Sequence, residues 1–206
     1  MKKLAAVMAV LAISLLAGCT SPPEKPAEKP QAKGPELLTG LPALHKLYLS
    51  ARGWARDAQP YRLESQLTAD GKGKDGKAAL WRAGFASPAE RGVKPYIWSG
   101  STAPDAPGRG INPGTEDNYN PQNSNTQVFD IAFFKIDSDK AFEVSQKHGG
   151  DKVLEKSADT PIFYVLDWSR PTNELLWHVI YGESRESAKL RVAVNASSGD
   201  FIRVEK

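Results

Sequence analysis

Residues 190–202 read LRVAVNASSGDFI. Leu190, Val192, Val194 and Ala196 alternate with Arg191 and Asn195, which is the period-2 pattern of a strand with one face inward. Ala196-Ser197-Ser198-Gly199-Asp200 is turn chemistry, and Phe201 to Val204 returns as a closing strand. An antiparallel hairpin at the end of the chain predicts a sheet of local connections, and the segments before it carry the same signal. Leu175 to Tyr181 places Trp177, Val179 and Tyr181 on one face, and Ile162 to Trp168 is a third strand.

A helix precedes these strands. Asp137-Ser138-Asp139 supplies an N-cap and acids for the positive helix end. Ala141, Val144, Ser145 and His148 then recur at helical spacing, and Gly149-Gly150 is a stop signal. Upstream, VFDIAFFKI (128–136) is apolar enough to predict a further buried strand. Ser99 to Gln127 is rich in Pro, Gly, Asn, Asp and Ser, and its length points to a linker or a functional loop.

The first half has the same order of elements. Leu44, Leu47, Tyr48, Ala51, Ala55 and Ala58 form an apolar helical stripe that Pro60 ends. The period then changes to 2, with Tyr61, Leu63, Leu67 and Ala69 set against Arg62, Glu64, Gln66 and Thr68. Asp70 to Lys77 (DGKGKDGK) is a turn, Leu80 to Ala86 a second strand, and Val93 to Trp98 a third. Pro95 suggests an edge position for that third strand. The fold class read from this order is α+β: two tandem modules, 37–98 and 128–206, each a helix packed on an antiparallel sheet, joined by the polar segment 99–127.

The N-terminus is of another kind. Met1-Lys2-Lys3 is positive, and Leu4 to Ala17 is apolar but too short to span a bilayer comfortably. It ends in Leu16-Ala17-Gly18-Cys19, which resembles the bacterial lipobox at all four positions. The resemblance implies a signal peptide over 1–18, diacylglyceryl transfer to the Cys19 thiol, cleavage before Cys19, and acylation of the new amine. The chain is then anchored in a membrane of the cell envelope by its acyl chains. Thr20 stands where Asp favours inner-membrane retention, so the implied place is the outer membrane facing the periplasm if the organism has one. Residues 19–36 carry five prolines among Thr20 to Glu36 and read as an extended tether, about 50 Å long at roughly 3.1 Å per residue.

Composition narrows function by exclusion. The 206 residues carry 27 basic and 24 acidic side chains. Removing 1–18 takes two lysines and no acid, which leaves 25 against 24. Nothing in that balance points to nucleic acid. The single Cys excludes an internal disulfide and a multi-cysteine metal cluster.

The second half is similar to PepSY domains. The matching residues are Ser138-Asp139-Lys140-Ala141-Phe142 through Lys147-His148-Gly149-Gly150, then Leu176-Trp177-His178-Val179, and Leu190 through Ile202. Asn195 stands where the family pattern has Asp, and it can make the same side-chain turn bond. Residues 51–58 (ARGWARDA) and 81–88 (WRAGFASP) look like pieces of a more diverged copy. The resemblance implies a helix on an antiparallel sheet, often in tandem, in a non-catalytic inhibitory or binding role. In outline it is similar to beta-lactamase inhibitory proteins.

A search for chemistry leaves little. His45, His148 and His178 lack metal-ligand spacing, and no nucleophile, base and orienter stand together in the sequence. Neither a catalytic residue, a metal site nor a cofactor is expected. Tyr96 and Trp98, at the end of the edge-like strand, and Tyr119 in the polar segment are candidate partner contacts. For Tyr96 and Trp98 packing over the sheet face is the alternative and the plainer reading. The expectation is an envelope lipoprotein that binds a protein or peptide, with inhibition or regulation of an extracytoplasmic protease as the sharp version. The alternative is a structural or assembly lipoprotein that binds envelope components or lipid.

Overall fold

The computed structural model describes residues 34–205. Cys19, the 1–18 segment and most of the tether lie outside them. The fold is α+β, built on one antiparallel sheet. Helix α1 (Gly40–Trp54) is followed by β1 (Gln59–Gln66), β2 (Leu80–Ser87), β3 (Gly92–Ser99), β4 (Gly110–Pro113) and β5 (Asp117–Asn118). Helix α2 (Ser138–Ser145) and helix α3 (Asp151–Lys156) precede β6 (Ile162–Ser169), β7 (Glu174–Tyr181), β8 (Leu190–Asn195) and β9 (Phe201–Glu205). Strand order is β4-β3-β2-β1-β6-β7-β8-β9, with β5 also on β3. Strands β1 and β6 pair through Arg62↔Asp167, Leu63↔Leu166 and Glu64↔Val165. The sheet therefore runs unbroken through both halves, and the described residues form one compact unit.

Side-chain alternation gives the sheet two unlike faces. Leu63, Trp81, Phe85, Tyr96, Trp98, Tyr164, Leu166, Trp177, Val179 and Val194 join Ala43, Leu44, Leu47 and Ala51 of α1 in one buried cluster. Trp81 and Trp177 meet at its centre, edge to face, with centroids 6.2 Å apart. Among the described residues no helix is long and apolar enough to cross a membrane.

The two long helices begin at one point. Thr39, the N-cap of α1, makes no side-chain cap bond. Ser138 Oγ accepts from the backbone N–H of Gly40 at 2.8 Å and donates to the Gly76 carbonyl at 2.6 Å. Asp137 Oδ1 accepts from its own helix at Ser138 N and from Leu41 N of α1. A cap that is normally local comes here from nearly a hundred residues away. The loop that joins them needs glycine twice. Gly73 and Gly76 have φ of 71° and 73°, and a Cβ on either would enter the backbone of Ile162 or of Ser138 and Asp139. Tyr164 Oη donates to Gly73 O and accepts from Gly76 N, which closes the knot.

Several expectations are corrected. Residues 128–136 are no strand. Phe129 N bonds Pro60 O, Asp130 caps a 3₁₀ turn over Ile131–Phe133, and Lys135 N and Ile136 N bond Ala196 O. The run is apolar because Phe129 and Phe134 enter the core from outside the sheet. Residues 99–127 do not stand off as a linker, since they return as β4 and β5 along β3. Strand β3 is consequently not the sheet edge. Pro95 falls between the stretches paired with β4 and with β5, where its missing N–H leaves no ladder bond unmade. Gly149-Gly150 does not end the helix. The chain passes through a wide turn over Gln146–Gly150, with His148 and Gly149 non-helical, and resumes as α3. Helix α1 stops at Trp54, so Ala55 and Ala58 are buried from irregular chain. The inward set of β1 is Pro60, Leu63 and Ser65. A bulge between Pro60 and Arg62 turns Tyr61 over Gly84, where a Cβ would strike its ring.

Candidate functional site

The helices cover one face of the sheet. On the other face, residues at one register level form a row through eight strands: Asn112, Ile97, Arg82, Glu64, Val165, His178, Ala193 and Arg203. Apolar members of this face, Val165, Leu176, Ile180 and Ala193, are buried outside the main core cluster. The charged side chains interleaved with them form a chain of alternating sign.

Arg82 Nη1 lies 3.5 Å from Glu64 Oε1, and Arg62 Nε donates to Glu64 Oε2 at 2.9 Å. Arg62 Nη1 lies 3.6 Å from Asp167 Oδ2. His178 Nε2 is 3.1 Å from Asp167 Oδ1, and its Nδ1 is 2.9 Å from Glu205 Oε2. Arg203 Nη2 closes the chain on Glu205 Oε1 at 3.1 Å. From the loop after β7, Arg185 adds a second cation 3.9 Å from Asp167 Oδ2. The Nη2 atom of Arg185 is buried and has no hydrogen-bond partner among the described residues.

Both imidazole nitrogens of His178 face carboxylates, so the doubly protonated ring donates twice. Burial by itself would lower the pKa of His178. The hydrogen bonds to Asp167 and Glu205, with their charges, outweigh it and hold the pKa above its ordinary 6.5. Burial pushes the Asp167 and Glu205 carboxyls up, but the bonds to His178 and the arginine charges bring both below their ordinary values. With neither nitrogen free, His178 has no lone pair to offer a substrate proton. Its geometry is that of a clamp joining β6, β7 and β9. Among the described residues no group of three or more His, Cys, Asp or Glu is arranged to hold a metal ion.

The sequence-predicted partner contacts fall elsewhere. Tyr96 and Trp98 are only 5% and 4% exposed and belong to the core. Tyr96 packs edge-on against Phe85, and Trp98 lies between Trp81 and Ile111 in register. Both side chains point to the α1 side of the sheet, into the core cluster, and away from solvent. Tyr119 is half-buried beside β3, its N–H on Arg91 O. Cys19 lies outside the described residues. The lone signal for the charged chain was Asp167, an acid within the otherwise apolar run IFYVLDW, together with His178 in an equally apolar strand. What joins them to Arg62 and Glu64 is the long-range pairing of β1 with β6.

No family model matches the chain, and no curated protein matches it. Among solved structures, a candidate lipoprotein of Clostridium difficile 630 is similar, with a TM-score of 0.53 and 9% identity. The alignment covers 79% of this chain and 91% of that one. At that identity the likeness is one of fold.

Proposed function

We propose that this protein is a non-catalytic lipoprotein of the cell envelope, anchored through Cys19, that binds a protein or peptide partner on the uncovered face of its sheet. The observation that carries the reading is the contrast between the faces. One is sealed by helices, and the other holds an ordered chain of arginines and carboxylates over which, among the described residues, only the loop after β7 folds, through Arg185. The lipobox supports the anchor, as does a fold shared with a candidate lipoprotein. A role that displaces or restrains a protease fits such a face, and the outer membrane fits Thr20.

The tandem origin of the fold belongs to the same proposal. Trp81 Nε1 donates to Leu38 O, two residues before α1, and Trp177 Nε1 donates to Ile136 O, two residues before α2. Both bonds are 2.8 Å and both tryptophans lie on the second strand after their helix. Equivalent residues in equivalent bonds support a PepSY-like repeat fused across β1 and β6.

The test places a photo-crosslinking residue at Arg82 on the open face and at Lys147 on the helix side, in intact cells. Adducts are expected from position 82 and not from 147. Cys19→Ala is expected to abolish palmitate labelling and shift the protein to the soluble fraction. Equal adducts from both positions would remove the face from the proposal, and labelling that survives Cys19→Ala would remove the anchor.

A further inference from the structure

The edge strand β9 is held to the rest of the molecule at few points. It pairs with β8 alone, and a register shift at Ala193 and Val194 interrupts the ladder between them. None of its residues is buried and Val204 is 50% exposed, whereas β6, β7 and β8 each bury three residues or more. A strand with so little buried surface belongs to the part of a fold that opens first. Beyond the ladder, two residues tie it down among the described residues. On the helix side Phe201 packs against the core, and its ring stacks on His148 with centroids 3.7 Å apart. On the open face Glu205 Oε2 lies 2.9 Å from His178 Nδ1.

The second tie reaches across a strand. His178 of β7, Ala193 of β8 and Arg203 of β9 stand at one register level, and the small Ala193 leaves the imidazole room to pass over β8. The charged groups around His178 are Arg62 of β1, Asp167 of β6, Arg185 of the loop after β7, Arg191 of β8, and Arg203 and Glu205 of β9. Glu174, on its own strand, is turned to Asn195. The two carboxylates that meet the ring are not held alike. Asp167 sits on an interior strand and has Arg62 and Arg185 beside it without the histidine. Glu205 has Arg203 at 3.1 Å, on the same strand, which moves with it. Arg191 stands opposite Glu205 in register and acts on it by charge, without an ion pair between them among the described residues. Among those residues His178 is therefore the one side chain bonded to Glu205 from another strand.

We propose that β9 is a pH-gated edge strand, latched to the sheet while His178 carries a proton on both ring nitrogens and freed to open when the ring loses one to solvent. The doubly protonated ring gives Glu205 a charge-assisted bond, roughly twice as strong as a neutral one. After deprotonation one nitrogen keeps its hydrogen. If that is Nδ1, Glu205 is left with a neutral donor; if it is Nε2, a lone pair faces the carboxylate. Either tautomer weakens the hold on β9, while Asp167 stays balanced by two arginines. Opening then carries Glu205 and Arg203 into water together, with their own ion pair kept. It bares the β8 edge (Leu190–Asn195) to pairing with another strand.

Hydrogen exchange of the full mature protein in detergent, read by mass spectrometry and corrected for intrinsic amide rates, tests the latch. Protection of residues 201–205 is expected to fall about tenfold from about pH 5.5 to about pH 9, and that of residues 162–181 by much less. His178→Gln is expected to show the low protection at both pH values. Glu205→Gln, a change at the sheet edge, is expected to remove most of the pH step, and it carries the test if the histidine variant does not fold. Equal protection at both pH values in the wild type would overturn the proposal. An equal fall across 162–181 would overturn it too, since that is loss of the whole fold and not of one strand. A pH step that persists in full in Glu205→Gln would assign the effect to His148 against Phe201 and refute the role of His178.

Discussion

Replacing Ser138 by alanine tests whether the two helices depend on one shared cap. The Ser138 hydroxyl is fully buried and makes two strong contacts, accepting from Gly40 N at 2.8 Å and donating to Gly76 O at 2.6 Å. Alanine removes both and admits no water in their place. A buried backbone group left without a partner costs about 1–3 kcal/mol. With two such groups, and some relaxation of the α1 N-terminus, Ser138→Ala is expected to destabilise the fold by about 2–4 kcal/mol. Thr39→Ala is the control. Thr39 occupies the α1 N-cap, where loss of a capping side chain usually costs about 1 kcal/mol. Here its side chain caps nothing, so the change is expected to stay within about 0.5 kcal/mol. Urea unfolding followed by tryptophan fluorescence reads both, since Trp81 and Trp177 sit in the common core. A Ser138→Ala loss below about 0.5 kcal/mol, or a Thr39→Ala loss of equal size, would refute the reasoning.

The ionic chain sets a pH profile. The raised pKa of His178 gives stability that is complete below its ordinary 6.5 and is lost as pH rises through the folded value, while the depressed Asp167 and Glu205 give stability complete above 3.8 and 4.5 and lost on acidification. The melting temperature is therefore expected to peak between about pH 4.5 and 6.5, and the peak should flatten in His178→Gln, which should also lose about 2 kcal/mol. Gly76→Ala is expected to prevent a stable fold or lower the melting temperature by more than ten degrees, because the new Cβ meets backbone rather than a movable side chain. Deleting 101–125 strips β4 and β5 from β3; lower stability and self-association are expected by calorimetry and gel filtration, and an unchanged monomer would refute the edge-cover role. Asn195→Asp should keep the turn acceptor used by Ser197 N and Ser198 N but set a carboxylate beside Glu174, so chemical denaturation should register about 1 kcal/mol lost at pH 7 and less at pH 4.

The strands with clean alternation were legible because each has one wet or polar face and one core face. Residues 190–202 needed only local signals, and β8, its turn and β9 follow them. The same rule failed at 128–136, where apolar character came from two phenylalanines inserted at the core and not from a pleat. Segment 99–127 read as loop because its polar composition is that of a short, exposed edge, which buries almost nothing on its outer side. Tyr96 and Trp98 were misplaced for a related reason: Pro95 marked an edge, but the strands that cover that edge carry no apolar pattern. The charged face was half visible. Arg62 and Glu64 are outward by alternation, yet their link to Asp167, His178 and Glu205 depends on a strand pairing between residues a hundred positions apart.

That central pairing also orders events in time. When the chain is made from its N-terminus, α1 through β3 exist before Asp137, Ser138 and β6. Until those arrive, α1 has no side-chain cap, one edge of β1 is unpaired, and Ser65 Oγ lacks the Tyr164 N–H that it accepts in the finished fold. Contacts this distant in sequence are reached late and at a high loop-closure cost. The first half therefore completes its cap, its strand edge and its buried serine only with groups that the second half supplies.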